Sequence, residues 1–267
     1  MNKWLWIIPV SLIVGGGIGF LIWKILPNKT KNEILSPLGI VTMEEKRMEI
    51  IGFLPTWMIG KTKLYGSEIT QLIFSGIEVN KDGSLLWDVQ SKKLNNENYI
   101  AIKNNIKKTG GKNLISIKLF TDKNMDILMT DSSAKQKLYA EVKAIVDAGN
   151  FDGVNVDFEY MSDPIRILNE DMMIMFTEMK NAGWGIVNVD VFANTIIKGS
   201  AKQIKGLEEV VDQIIVMAYD FARPGSDFAG AVAPMGAPEG QRSISEIINR
   251  INIGNLNKEK FILDYSI

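Results

Sequence analysis

The 267-residue sequence contains no cysteine and no histidine. The missing cysteines exclude disulfides, a thiolate nucleophile and a cysteine-ligated zinc ion. The missing histidines exclude a Ser-His-Asp triad and an imidazole general base, so acid–base chemistry must come from carboxylates, Tyr, Lys or a bound cofactor. With 30 basic and 31 acidic residues, the chain lacks the positive charge typical of nucleic-acid-binding proteins, and we expect no nucleic-acid partner.

A long apolar run lies at the amino terminus. Residues 4–23 contain no charged side chain, and at about 1.5 Å per residue they can span about 30 Å of hydrocarbon. Trp4, Trp6 and Trp23 lie near its ends, where a membrane interface favours tryptophan. A cleaved signal peptide is the alternative, but the run exceeds the usual apolar region of about 7–15 residues and no A-x-A-like cleavage site follows. We therefore predict a membrane anchor within residues 1–26, spanning about residues 4–26.

The next segment, residues 27–46, has no clear periodicity and contains Pro37 and Gly39, so we predict a tether. A folded domain is expected over residues 47–267. Lysines flank both ends of the apolar run, so the positive-inside rule does not fix the orientation and slightly favours a cytoplasmic domain. We nevertheless predict a single-pass protein with an extracytoplasmic domain.

The domain alternates β-rich runs with amphipathic stretches. The predicted strands are Glu49–Trp57, Gln71–Asn80, Leu114–Phe120, Gly153–Tyr160, Val187–Thr195, Gln213–Phe221 and Lys260–Ile267. The predicted helices are Asn96–Thr109, Ser132–Gly149 (with Gly149 as its C-cap), Asp171–Gly183, Ser200–Val211 and Ser243–Ile253. Strands separated by helices predict an α/β fold with a parallel sheet, and seven such units suggest a TIM-type (β/α)8 barrel one unit short. A doubly wound open sheet is the alternative, although no G-x-G-x-x-G or Walker pattern follows any strand.

One predicted strand carries the residues that suggest chemistry. In residues 153–160, the alternation places Val154, Val156 and Phe158 on one face and Asn155, Asp157 and Glu159 on the other. If the apolar face packs on the helices, the polar side chains point into the barrel, where burial of carboxylates is costly. Two adjacent carboxyl groups raise the pKa of one of them, and a proton held near neutral pH at the carboxyl end of a strand suits general-acid catalysis.

Two other interpretations of this strand stay open. A strand with one solvated polar face has the same alternation, as is common in antiparallel sheets. A Mg²⁺ or Ca²⁺ site would also use oxygen ligands of this kind.

The same strand resembles a family signature. Residues 152–159, D-G-V-N-V-D-F-E, are similar to the D-G-x-D-x-D-x-E motif on the fourth strand of glycoside hydrolase family 18, the chitinase-like barrels. Residues 217–220, M-A-Y-D, resemble the M-x-Y-D motif on their sixth strand, and residues 224–235 and Glu49–Trp57 also resemble family segments. The order and spacing agree from about residue 48 to the end.

The resemblance implies a retaining, substrate-assisted glycosidase that acts on β-linked N-acetylglucosamine polymers, chitin or peptidoglycan. Glu159 would protonate the glycosidic oxygen, Asp157 would orient the substrate acetamide, whose carbonyl attacks the anomeric carbon, and Tyr219 would donate a hydrogen bond to that carbonyl. The resemblance further implies substrate-binding roles for Asn155, Asp220 and Met217 and a structural role for Asp152 and Gly153. The mechanism needs no cofactor and no metal ion.

The sequence departs from the family pattern at three places. Family members have an Asp at the position of Asn155, and that Asp shares a proton with the Asp at the position of Asp157. In this sequence the first of the two is Asn. The third strand, Leu114–Leu119, lacks the common S-x-G-G. The sequence stops at Ile267, within what resembles the seventh strand, so we expect a C-terminally truncated barrel without the eighth strand and its tryptophan.

A non-catalytic carbohydrate-binding protein on the same scaffold is the rival hypothesis. Exposed aromatic rings would stack on sugars in either case, and Trp57 and Tyr160 are the candidates we select. A third class, a cytoplasmic membrane scaffold, follows only if the positive-inside count gives the true orientation.

Overall fold

The computed structural model describes residues 48–61, 68–88, 91–222, 229–238 and 241–265. The predicted anchor and tether lie outside these ranges, as do residues 224–228 of the family-like segment 224–235. No helix in the described part of the chain is long and apolar enough to cross a bilayer.

A parallel sheet of seven strands organises the domain. Its strands, each paired in parallel with the next along the chain, are β1 (Ile51–Pro55), β2 (Gln71–Glu78), β3 (Lys112–Leu119), β4 (Gly153–Phe158), β5 (Ile186–Phe192), β6 (Gln213–Met217) and β7 (Phe261–Asp264). All seven predicted strands are confirmed, but several end earlier than predicted. Residues Thr56–Met58 form a 3-10 turn after β1, and a helix begins at Ala193 directly after β5.

Helices connect the strands. They are α1 (Glu97–Lys108), α2 (Asp122–Thr130), α3 (Ser132–Gly149), α4 (Glu170–Asn181), α5 (Ala193–Lys198), α6 (Ala201–Val210) and α7 (Ile244–Ile253). The five predicted helices are confirmed, whereas α2 and α5 were not predicted. Gly149 is not the C-cap of α3. It is the last residue of the helix, and the C-cap is Asn150, with φ +49°. Asparagine tolerates this left-handed conformation better than most residues.

The sheet curls strongly. The Gln71 side chain on β2 donates a 2.8 Å hydrogen bond to Gln213 on β6 and accepts one of 3.0 Å from Asn188 on β5. In a flat sheet β2 and β6 would lie roughly 19 Å apart, since neighbouring strands are separated by about 4.8 Å. The curl and the sequential strand order fit a half-barrel of the TIM type and exclude the doubly wound alternative, whose strand order reverses.

Apolar side chains pack on both faces of the sheet. The large outer cluster joins outward residues of the strands to the helices and includes the fully buried Trp184. A smaller inner cluster contains Ile73, Leu114 and Ile215. Ile73 and Leu114 are each the third residue of an eight-residue strand, and Ile215 is the middle residue of β6.

Three side chains fix strand pairs at the amino-terminal end of the sheet. Thr70, Asp152 and Asp212 each directly precede an even-numbered strand. Their side-chain oxygens accept hydrogen bonds of 2.7–2.9 Å from backbone N–H groups at the start of the preceding strand, those of Ile50, Asn113 and Val187 respectively. We call these three contacts the strand clamps. Asp152 therefore lies at the end of the sheet opposite Glu159.

Gly153, the other residue of the predicted structural motif, lies where β4 meets β5. A Cβ atom at this position would be 2.2 Å from the carbonyl oxygen of Ile186. Real Cβ atoms do not approach backbone this closely, so only glycine fits without a shift of one strand.

Candidate active site

The alternation predicted for β4 is present. Val154, Val156 and Phe158 are buried in the outer cluster against the helices. Asn155 and Asp157 face the inside of the curl, since they pair in register with Ser116 and Lys118 of β3. Glu159 follows directly after the strand and is partly buried. The solvated-face interpretation is therefore wrong for Asn155, which is completely buried.

Asp157 and Glu159 form a hydrogen-bonded pair. Burial raises the pKa of Asp157 well above its ordinary value, and the charges of Asp190 and Glu159 raise it further, while Lys118 opposes them. Burial also raises the pKa of Glu159, although the hydrogen bond from Asp157 opposes that rise. The two carboxyl groups thus retain a proton at higher pH than free carboxyls do, which is the condition for general-acid catalysis.

The segment after β6 places its motif residues at the same end of the sheet. Met217, the last residue of β6, lines a narrow crevice together with Glu159 and Asp190. Tyr219 is partly buried, and burial together with the surrounding carboxyl groups raises its pKa. Its hydroxyl therefore stays protonated and can donate a hydrogen bond. Asp220 is exposed and has φ +55°, a conformation that turns the chain sharply away from the strand.

Two further carboxyl groups, which we had not predicted, belong to this site. Asp190 on β5 is almost fully buried, and its Oδ2 accepts a 2.7 Å hydrogen bond from Nδ2 of Asn155. Asp264, the last residue of β7, pairs in register with Met217, and burial raises its pKa. The run 187–191, V-N-V-D-V, has the same alternation as β4 and is the sequence signal that could have identified Asp190.

The chain after Glu159 is held by the unpredicted helix α2. Asp122, the first residue of α2, accepts hydrogen bonds from the backbone N–H groups of Met161 (2.8 Å) and Ser162 (3.2 Å) and from the Ser162 hydroxyl. These contacts fix the backbone two residues beyond Glu159. Helix α2 therefore contributes to the position of the proposed acid.

Tyr160 borders the same crevice, but its ring is enclosed by protein. Its ring is only 4% exposed and packs in the outer cluster, with the Arg166 guanidinium 4.1 Å from the ring centroid. Its hydroxyl makes a long hydrogen bond of 3.4 Å to Asp126 of α2. A ring enclosed in this way has no free face, so the structure does not favour sugar stacking by Tyr160.

Trp57 lies at the rim of the curled sheet. It follows β1 in the 3-10 turn at the carboxyl end, and 64% of its surface is exposed. Phe120, directly after β3, and Tyr265, directly after β7, are also exposed. Because the carboxyl ends of parallel strands share one edge, these three rings lie on the same rim as Glu159.

Within the described residues, no group of three or more Asp and Glu side chains is arranged to hold a metal ion.

The comparisons with known proteins agree with this geometry. The model of the family "Glycosyl hydrolases family 18" matches residues 49–265. The second catalytic domain of a Group II chitinase from Ostrinia furnacalis has a similar structure, with a TM-score of 0.66 and 17% identity, over 82% of this chain and 63% of that one. That domain has also been solved with a chitooligosaccharide, (NAG)5.

A second similar structure is the spore cortex-lytic enzyme SleL from Bacillus cereus, with a TM-score of 0.60 and 16% identity, over 84% of this chain and 51% of that one. The chain thus spans less than two thirds of the length of these two structures. No curated protein matches it. The family match over most of the chain, together with the fold, shows that the protein belongs to family 18 of the glycosyl hydrolases.

Proposed function

We propose that the protein is a glycosidase that hydrolyses β-linked N-acetylglucosamine polymers, chitin or peptidoglycan. The observation that carries the proposal is the hydrogen-bonded pair Asp157–Glu159, partly buried at the carboxyl end of the sheet with the pKa of both groups raised. Family membership supports the reaction class. The similarity of the fold to a chitinase domain and to a spore cortex-lytic enzyme supports the substrate class.

The proposed mechanism is retaining and substrate-assisted. Glu159 donates its proton to the glycosidic oxygen as the bond to the anomeric carbon breaks. The carbonyl oxygen of the substrate's own 2-acetamido group attacks that carbon, and an oxazolinium forms. Asp157 accepts a hydrogen bond from the acetamide N–H, and the Tyr219 hydroxyl donates one to the acetamide oxygen. Water then opens the intermediate, with Glu159 acting as the base.

Asn155, Met217 and Asp220 have supporting roles in this proposal. Asn155 donates a hydrogen bond to Asp190 and so fixes the buried end of the carboxyl cluster. Met217 forms the apolar wall of the crevice beside Glu159. The sharp turn at Asp220 holds Tyr219 at the mouth of the site.

A test of the mechanism uses two oligomers that differ only in their acetyl groups. The full chain is expected to cleave a chitooligosaccharide and to release the β-anomer first, as followed by ¹H NMR. It is expected to leave the fully deacetylated oligomer intact, because that substrate has no acetamide to attack. Initial release of the α-anomer, or equal cleavage of both oligomers, would contradict the mechanism. Peptidoglycan assayed in parallel distinguishes the two substrate classes.

A non-catalytic carbohydrate-binding function is the second candidate. The exposed rings of Trp57, Phe120 and Tyr265 on one rim favour it, because such rings can stack on sugars without any chemistry. Binding of both oligomers without turnover of either would support this alternative.

Trp57→Ala is expected to weaken binding of a chitooligosaccharide by about tenfold, as measured by calorimetry. The loss corresponds to roughly 1.4 kcal/mol, a magnitude consistent with the apolar area that a sugar covers on one face of the ring. Tyr160→Phe is the matched control and is expected to leave affinity unchanged, since that ring is enclosed. Equal effects of the two substitutions would contradict the rim assignment.

We also propose that residues 4–26 anchor the protein in a membrane and that residues 27–46 tether an extracytoplasmic domain. The uncharged apolar run with flanking tryptophans supports the anchor. A topology reporter fused after residue 31 tests the orientation, and a cytoplasmic signal would contradict the proposal.

A further inference from the structure

A carboxyl group from the neighbouring strand lies beside Asp157. Val156 of β4 pairs in register with Val189 of β5, so Asp157 and Asp190 occupy the next position on the two strands. Neighbouring strands are about 4.8 Å apart, and both side chains are on the inner face. On its other side Asp157 pairs with Lys118 of β3.

Asp190 is also joined to β4 directly. Asn155 donates its side-chain amide to Asp190 over 2.7 Å and, at 3.4 Å, to the Ser116 hydroxyl. Asn155 is completely buried and Asp190 is 5% exposed, so this hydrogen bond is shielded from water. A buried carboxyl group needs such a partner, because burying one without a partner costs several kcal/mol.

Three buried oxygen atoms of this cluster would gain a hydrogen bond if one of its carboxyl groups carried a proton. Asn155 Oδ1, Asp157 Oδ1 and Asp190 Oδ1 are buried acceptors that have no hydrogen-bond partner among the described residues. Protonation of one carboxyl group converts an acceptor into a donor and reduces the charge that is buried. The geometry thus favours a proton shared within the cluster.

Charged and titratable groups face Asp190 and Asp157 from every strand around them. They are Lys118 of β3, Glu159 after β4, Tyr219 after β6 and Asp264 of β7, and Lys118 itself lies 3.9 Å from the exposed Glu78 of β2. Acidic groups outnumber the lysine, so removing one carboxyl group from this cluster favours ionisation of the others.

We propose that Asp190 is a positioning residue for the Asp157–Glu159 pair. Position 155 of β4 is Asn and carries no carboxyl group. Asp190 of β5, which accepts a hydrogen bond from Asn155, supplies a buried carboxyl group in its place. The proposal rests on the proposed glycosidase function. Asp190 does not touch the substrate. It acts by keeping the proton of the cluster on Asp157 and Glu159 to higher pH.

The expected pH dependence follows from the number of carboxyl groups. With Asp157, Glu159 and Asp190 present, the last proton of the cluster leaves against two negative charges, whereas after Asp190→Asn it leaves against one. The last apparent pKa of the coupled group is therefore lower in the variant. Because the protonated acid is the active form, the basic limb of the pH profile moves to lower pH.

The test compares kcat/KM against pH for the full chain and three variants. Asp190→Asn is expected to move the basic limb down by about one pH unit. The double variant Asn155→Asp with Asp190→Asn returns a carboxyl group to the cluster. It is expected to restore the basic limb of the profile to its original pH. Asp212→Asn is the matched control, since it makes the same change beside β5 at the opposite end of the sheet. It is expected to lower the melting temperature without moving the limb.

A uniform loss of activity at every pH in Asp190→Asn, or no restoration in the double variant, would overturn the proposal and leave Asp190 a structural residue. A readout independent of turnover separates this outcome from failure of the proposed function. In ¹³C NMR of aspartate-labelled full chain, the Asp157 carboxyl signal, assigned by its loss in Asp157→Asn, is expected to titrate at lower pH in Asp190→Asn. An unchanged titration overturns the proposal whether or not the protein hydrolyses glycans. A shifted titration in an inactive protein supports it while the glycosidase function fails.

Discussion

Replacing Glu159 by Gln is expected to lower kcat/KM for a chitooligosaccharide by about a hundredfold to ten-thousandfold, the range typical for loss of a general acid. Glutamine has nearly the same shape and can keep a hydrogen bond to Asp157, but it has no acidic proton to donate. Binding of the oligomer should therefore persist. Reducing-end release at several pH values measures the turnover, and calorimetry measures the affinity.

Glu209→Gln is the matched control for that experiment. Glu209 is exposed on α6 and does not belong to the carboxyl cluster, so its substitution is expected to leave both quantities unchanged. Turnover by Glu159→Gln equal to that of the unsubstituted protein would show that another group is the acid.

Gly153→Ala is expected to lower the melting temperature by roughly 10 °C. The new Cβ would lie 2.2 Å from the carbonyl oxygen of Ile186, so β4 or β5 must shift. Overpacking against backbone costs about 3 kcal/mol, and at this chain length 1 kcal/mol corresponds to roughly 2–4 °C. Thermal unfolding followed by circular dichroism measures the change. Activity should fall as well, since β4 carries Asn155 and Asp157.

Gly206→Ala tests whether the effect is specific to Gly153. Gly206 lies within α6, and its new Cβ would meet only the Met173 sulfur, at 4.0 Å. Alanine in a helix is more stable than glycine by up to about 1 kcal/mol, so this variant should melt at a slightly higher temperature. A similar loss of stability in both variants would mean that the close approach to Ile186 does not matter.

The sequence was sufficient to predict the sheet, because its strands are short apolar runs separated by amphipathic helices. It did not reveal α2, whose nine residues are too few for a clear period and contain four charged or amide side chains. The ends of strands were also predicted too long. At Thr56 and Ala193 apolar residues continue past the last strand hydrogen bond, so hydrophobicity alone does not mark the end.

The dense polar pattern of β4 makes Asn155, Asp157 and Glu159 easy to select from the sequence, whereas a strand that contributes one acidic residue gives little signal. Asp264 looks like an isolated acid in sequence and Asp190 has only the short alternation of residues 187–191, and pairing with β6 and β4 brings them to the cluster. Tyr160, a predicted stacking residue, lies two positions after Phe158. Residues two apart in an extended chain share a face, so the alternation already indicated that it would pack outward.

The strand clamps bear on how the sheet assembles during folding. Each joins two strands adjacent in the chain, through residues separated by 20 positions at Thr70, 39 at Asp152 and 25 at Asp212. Closing loops of this length costs little more entropy than closing shorter ones, and local pairings form faster than distant ones. The pairs β1–β2, β3–β4 and β5–β6 can thus acquire their register independently, before the inner polar contacts between β2 and β6 draw the ribbon into its curl.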